Sequence, residues 1–403
     1  MADDRDRVRL YTTEFAADPH RAYREMREKF GSMVPVYLAP GVPATLVIGY
    51  RTALRIRHDP NHFPSDPRLW QQGVPDDCAV LEMLRWRPNG LFNDGPERER
   101  YRAATVAALA GVNSFRLHSI IEQIAVPLIS SFCTAGSADL VTQYAWPLVS
   151  GTINEMLGCT PEIGRRAAKG AALMFDSQAD AGEGGQVLHD ALAALLALKR
   201  KSPGKDVASR LIAHPSNLND EELIQQLVPI SCGAAIGQIS LITTSLLTML
   251  TDERFGAQLL SGTVKTRDAL ENVLFEDPPM ANYCATYPRQ PILIDDVWLP
   301  AQQPVVISIA ACNTDPAIVG ERTGNRAHLA WGAGGHKCPA EHIGYLIAQD
   351  AIDQLLDALP DIALAVDRED VEWRPGPFHR SVASLPVIFE PARQQDLPQT
   401  ILS

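Results

Sequence analysis

No two of the seven cysteines in this 403-residue chain form a CxxC pair; Cys78, Cys133, Cys159, Cys232, Cys284, Cys312 and Cys338 are scattered. That spacing excludes a zinc knuckle, argues against a disulfide framework and fits a reducing cytoplasm. Basic residues are in deficit: 36 Lys and Arg against 48 Asp and Glu give a net charge of −12. Phosphate binding needs clustered cations, so this balance excludes a protein that wraps nucleic acid. It also argues against anionic membrane surfaces. No glycine-rich dinucleotide fingerprint follows a strand pattern, and no internal repeat is visible. The N-terminal run MADDRDRVRLYTTEF is too charged for a signal peptide.

Long apolar runs are scarce as well. One exception lies between Glu222 and Asp252, where no charged residue occurs. Pro229, Gln238, several Ser and Thr, and the lack of a basic flank oppose a membrane span there. A helix enclosed on all sides by protein fits better.

The composition that remains, 46% hydrophobic and 21% charged, is that of a soluble globular protein. Periodicity predicts a mainly α chain forming one domain over residues 1–403, with a minor β portion. The β-rich segments fall at about 34–50, 291–309 and 371–391; the helical bulk falls at 98–280 and 338–358. The stretch Ala179–Gln186 reads as a glycine-rich, acidic loop.

Most informative is HLAWGAGGHKCPAEHIG, His328 to Gly344. Gly332, Gly334 and Gly335 permit a tight backbone ahead of His336-Lys337-Cys338, and a helix pattern follows. A cysteine at a helix N-terminus feels the positive end of the macrodipole, which favours thiolate. A thiolate is a soft axial ligand for haem iron. A plain buried cysteine beside a glycine turn is the alternative.

This run resembles the haem-binding loop of the cytochrome P450 superfamily, Phe-x-x-Gly-x-x-x-Cys-x-Gly. Trp331 stands for the Phe, Gly334 matches the Gly, His336 is the basic residue two before Cys338, and Ala340 replaces the last Gly. Upstream, FNDGPERERYR (Phe92–Arg102) resembles the family's Asp-x-Pro-x-His-x-x-x-Arg segment, with Arg98 at the His position and Arg102 keeping the Arg. Spaced i, i+4, the two cations share one helix face. CNTDP (Cys312–Pro316) and FHRSVASLPVIFEP (Phe378–Pro391) are similar to later family segments, so the resemblance covers nearly the whole chain.

Three departures stand out. The family's Glu-x-x-Arg pair falls on Asn272 and Phe275. Its acid–alcohol pair, which helps relay protons during oxygen activation, falls on Ala235 and Ile236. The strand arginine for a haem propionate falls on Ala285 and Thr286, with Arg289 as the nearest cation.

The resemblance implies a P450 fold and haem b with iron held by Cys338. It places Arg98, Arg102, Arg289, Trp331, Gly332 and His336 around the cofactor. It sets Gly233, Ala234 and Gln238 on the oxygen side, with Gln238 able to hold water. Candidate substrate walls are Trp70, Gln71, Trp86, Met280, Tyr283 and Phe378. The activity implied is that of a cytoplasmic oxidase or monooxygenase on a small natural product, fed by a ferredoxin and its reductase. Oxidative coupling or hydroxylation of an aromatic, for example a tryptophan-containing cyclic dipeptide, tolerates a missing acid–alcohol pair best. The competing reading is a haem-binding sensor or a haem-free partner protein, against which Cys338 and His336 argue.

Overall fold

A computed structural model describes residues 7–176, 181–253, 255, 265–318, 320 and 325–392. Helices carry most of the chain. The first long one, α1 (Pro19–Phe30), starts as its residues dictate: Asp18 caps the Arg21 amide at 2.9 Å, Pro19 opens the helix, and Tyr23 and Met26 bury one face. The others used below are α2 (Gly95–Ala110), α3 (Pro161–Asp176), α4 (Ala181–Lys201), α5 (Ala234–Thr251), α6 (Thr266–Glu276) and α7 (Glu341–Ala358).

A five-stranded sheet packs beside this helical mass, in the order Val8–Arg9, Met33–Ala39, Val42–Val47, Val305–Ser308, Asn282–Thr286. The segment read as β at 34–50 is the antiparallel hairpin Met33–Ala39 with Val42–Val47. That at 291–309 gives three short strands, then turns into the helix Ile309–Asn313. The segment at 371–391 is mostly irregular, holding two bridges, Trp373 to Val382 and His379 to Met280, and the strand Pro386–Ile388. The largest apolar cluster lies among the helices, and two smaller ones flank the sheet.

Two expectations need correction. Residues 181–186 are helical, the start of α4, while 179 and 180 lie outside the described residues. Glycine disfavours helix locally, but here it permits α3 and α4 to pack closely. A Cβ at Gly170 would come within 2.6 Å of the Leu188 amide nitrogen, and one at Gly184 within 2.7 Å of that of Met174. The last helix begins at Glu341, not at Cys338. Pro339 disfavours helical backbone at the residue before it, and the Cys338 amide donates backwards to Trp331 O at 2.7 Å.

The apolar helix runs from Asp220 to Thr251 over 32 residues and is by length and composition able to cross a membrane. However, 78% of its most apolar window is buried inside the fold. It is not regular throughout: Pro229–Gly233 forms a π-type turn, in which the Ala234 amide donates to Pro229 O. Pro229 has no N–H for the ordinary ladder, which accounts for a break at that place.

A buried polar cluster ties the N-terminus to the end of α6. Asp277 accepts from His20 Nε2 at 3.0 Å and from Arg380 Nε at 3.1 Å, and Arg380 also donates to Ala16 O. Burial raises the Asp277 pKa, but His20 and Arg380 outweigh it and hold the carboxyl at about 2. An unfolded Asp titrates near ~3.9, so the folded pKa is depressed. Its stabilising contribution, about 2 kcal/mol, is full above pH ~4 and is lost as pH falls toward 2. For His20, burial is outweighed by Asp277 and the pKa is raised, so its contribution is lost as pH rises through that value. Acid titration of stability should therefore show a limb below pH ~4 that is reduced in Asp277→Asn; an identical limb in the variant would contradict this cluster.

Candidate functional site

The Cys338 loop is held by its own backbone. Gly332 N–H donates to Leu329 O at 2.7 Å and Lys337 N–H to Gly334 O at 3.2 Å. With Cys338 N–H on Trp331 O, these bonds fold the segment back on itself. Gly334 is required twice over: its φ is +65°, and a Cβ there would collide with the Arg57 carbonyl. The Cys338 sulfur accepts from the Ala340 amide at 3.4 Å. Burial pushes the thiol pKa up, and the Ala340 amide and Arg102 offset this only in part. Binding of a metal ion would displace the thiol proton.

Cations converge on this loop from α2. Arg98 donates to Gly335 O, and Arg102 Nη2 donates to Lys337 O at 2.6 Å. The Arg98 Nε is buried without a partner. His336 Nε2 lies 3.1 Å from Asp94 Oδ1 and 3.3 Å from Ser65 Oγ. Burial lowers the His336 pKa, with Asp94 opposing, so the imidazole is neutral at pH 7. Arg289 is not brought to this group. It is exposed and donates to Asn61 O at 3.2 Å, because the chain leaves the sheet before reaching it.

Behind the loop stands a polar cluster that the motif reading did not contain. Glu271 of α6 accepts from Tyr345 OH and from Arg267 Nε, both at 3.0 Å, and from His328 Nε2 at 3.3 Å. Ala330 N–H donates to His328 Nδ1, which leaves Nε2 as the protonated nitrogen. Burial raises the Glu271 pKa, but these partners lower it further. Burial pushes the Tyr345 phenol up to about 12. The Arg267 guanidinium sits 3.3 Å above the Tyr345 ring, whose other neighbour is Trp331, with centroids 5.3 Å apart. Glu271 thus grips the segment leading into the loop through His328 and the helix leaving it through Tyr345. Phe275, buried at the position of the family's Arg, packs edge-on against His328 at 5.1 Å.

On α5, a Cβ added at Gly233 or Gly237 would meet nothing within 4 Å, so this face borders open space. Ala234 is partly exposed beside it, whereas Ala235 and Ile236 are buried. Gln238 is buried against α7: a Cβ at Gly344 would lie 2.8 Å from its Nε2 and 2.8 Å from the Trp331 ring. The Gln238 Oε1 is buried and has no hydrogen-bond partner.

No family model matches the chain. Cytochrome P450 monooxygenase PikC of Streptomyces venezuelae is 27% identical over 396 residues, covering 94% of this chain and 93% of that protein. Nocardicin C N-oxygenase of Nocardia uniformis subsp. tsuyamanensis is 29% identical over 315 residues, covering 74% and 79%. The structure of CYP154C4 from Streptomyces sp. ATCC 11861 superposes with a TM-score of 0.86 over 95% of this chain and 98% of that one, at 24% identity. The chain belongs to the cytochrome P450 superfamily. It is an oxidoreductase with the P450 fold, and the family implies a haem.

The residues present fit that group. Cys338 offers a single soft sulfur donor, which is what a P450 haem iron takes from the protein. Among the described residues no cluster of three or more His, Cys, Asp or Glu competes for a metal. The partnerless Arg98 Nε and the open face at Gly233 and Gly237 suit an anionic, flat ligand between α5 and the loop.

The expected substrate residues fall into two groups. Tyr283 and Phe378 meet edge-on at 5.9 Å, and Trp70 stacks on Tyr287 at 5.6 Å. Met280 bridges to His379, whose pKa burial lowers to about 4. Gln71 and Trp86 serve the chain itself: Gln71 Oε1 accepts from the Trp86 amide at 2.8 Å, and Trp86 Nε1 donates to Asn93 at 3.2 Å. Glu271, His328 and Arg57 were missed, because each lies outside the residues that the family pattern fixes; Asp94 was in the pattern, but its contact with His336 was not read from it.

Glu271→Ala would leave His328, Tyr345 and Arg267 without their acceptor and should cost about 2–4 kcal/mol in urea unfolding. Asn272→Ala, at the family's acid position, should change stability by less than about 0.5 kcal/mol. The reverse order would show that the ancestral position still carries the load.

Proposed function

We propose that this P450 is a haem–thiolate monooxygenase or oxidase acting on a small natural product, with haem b held through Cys338. The observation that carries the proposal is the Cys338 loop itself: a sulfur turned back by Trp331 O, flanked by Arg98, Arg102 and His336, and faced by the open side of α5. When bound, the haem supplies reductive activation of O2, which a thiolate ligand assists by pushing electron density. Trp331 and Gly332 shape the loop, Arg98 and Arg102 turn toward propionates, and neutral His336 offers a hydrogen bond. Gly233 and Ala234 leave room on the oxygen side. Electrons come from a ferredoxin and its reductase, in a cytoplasm where the free cysteines stay reduced.

No acid or alcohol stands at Ala235 and Ile236, and the unpartnered Gln238 Oε1 is free to hold a water. Protons then reach this face through ordered water or from the substrate's own N–H or O–H. This favours an aromatic, nitrogen-bearing substrate, such as a tryptophan-containing cyclic dipeptide, undergoing oxidative coupling or hydroxylation. Relatedness to an N-oxygenase supports a nitrogen-bearing substrate. Trp70, Met280, Tyr283 and Phe378 supply apolar and aromatic walls.

The test is the reduced CO complex. Haem-loaded protein should show the red-shifted Soret band of a thiolate ligand, and Cys338→Ala should lose it. A band that persists in the variant would remove Cys338 from the iron. For substrate class, cyclic dipeptides containing tryptophan should shift the ferric spin state in a ligand panel. Shifts confined to macrolactones would overturn the aromatic reading.

A further inference from the structure

Arg57 ends the short helix Tyr50–Arg57 and is only 7% exposed. Its Nε is buried with no hydrogen-bond partner, and among the described residues no carboxylate pairs with it. A guanidinium buried without an anion is costly and rarely retained unless something supplies the charge.

Its place in the fold says what that something is. The Arg57 carbonyl lies against Gly334, so the residue sits directly behind the cysteine loop. Its charge acts on neighbouring His336. Arg98 and Arg102 reach the same loop from α2, and a Cβ at Gly335 would lie 2.8 Å from Arg98 Nη2. Burial and the charge of Arg98 lower the Arg102 pKa, so these two guanidiniums already repel one another. The carboxylate present, Asp94, is committed: Oδ1 to His336 and Oδ2 to the Ser65 amide at 2.6 Å. Three guanidiniums thus gather at the loop, where Asp94 is engaged and Glu341 is paired with Lys337 at 2.8 Å, which leaves positive charge in surplus. At the same time Ala285 and Thr286 provide no cation, and Arg289 is exposed.

We propose that Arg57 binds a haem propionate in this chain, in place of the arginine missing from the strand Asn282–Thr286. The inference rests on the haem–thiolate reading above. A carboxylate accepts two parallel N–H bonds from a guanidinium, so one propionate satisfies the stranded charge. The sequence conceals this role, because Arg57 sits in the run RTALRIRHDP among other arginines with no motif spacing to mark it.

The experiment uses the full chain, wild type and Arg57→Met, each reconstituted with haem and with haem dimethyl ester, whose propionates carry no charge. Two quantities are read: apoprotein melting temperature, and the rate of haem loss to a scavenger. The Arg57→Met apoprotein should melt at or above the wild-type temperature, since a lone buried cation has gone. Its haem should leave about tenfold faster than from wild type. The ester should leave both proteins at similar rates, and Arg57→Lys should recover part of the retention. Equal haem loss from wild type and Arg57→Met would overturn the proposal. So would an equal acceleration for haem and its ester, or a fall in apoprotein melting temperature, either of which marks a packing role. If wild-type protein retains haem but lacks the thiolate-type CO band, the reading of Cys338 fails, while the haem-against-ester comparison still decides Arg57.

Discussion

The geometry around Cys338 depends on Glu271. This carboxylate is the point where α6, the segment into the cysteine loop and the helix out of it are joined, through Arg267, His328 and Tyr345. Asn313 holds the same segment, accepting from the Leu329 amide at 2.7 Å and donating to Leu274 O at 2.9 Å, while Arg98, Arg102 and Asp94 hold the loop from α2 and its N-cap. From Tyr345 the constraint continues through the Trp331 ring to the Trp331 carbonyl and so to the Cys338 amide. Buried carboxylates with several donors are costly to break and well suited to holding one geometry. The family's usual pair lies at i, i+3 on this helix; here Arg267 and Glu271 form a pair at i, i+4, with the cation first.

The second organising constraint is electrostatic. A chain of net charge −12 concentrates guanidiniums behind one loop, where the carboxylates Asp94 and Glu341 are engaged with His336 and Lys337. Such an arrangement is poorly suited to the empty protein and well suited to a dianionic ligand. Distal to the loop the opposite holds. The face of α5 at Gly233 and Gly237 borders open space, and the acids and alcohols common to the family are replaced by Ala235 and Ile236, which are buried. On the proposed reading, cations anchor the cofactor on one side, and proton handling is left to water or substrate on the other. An oxidase that draws protons from its substrate fits this division better than one that must serve an inert hydrocarbon.

Much of this was legible in the chain. The Gly-rich turn before Cys338 could be read because glycine at Gly334 has a backbone reason that any sequence must satisfy. Arg98 and Arg102 could be read because four-residue spacing on a helix fixes a shared face. The α3–α4 crossing could not, since the glycines that ordinarily signal a loop are here the small residues of a helix contact. Nor could the start of α7 at Glu341, where Pro339 and a single backbone bond override the helix pattern. Glu271 and Arg57 were invisible for a common reason. Their significance lies in partners 57 and 74 residues away for Glu271, and for Arg57 in the partner it lacks.

The most direct test of the account is a crystal structure of the haem-loaded protein. It should place the iron on the Cys338 sulfur, with Arg57 and Arg98 on the propionates and the Glu271–His328–Tyr345 contacts retained. Iron bound by an imidazole, or a haem seated away from the cysteine loop with Cys338 still hydrogen-bonded only to Ala340, would contradict it.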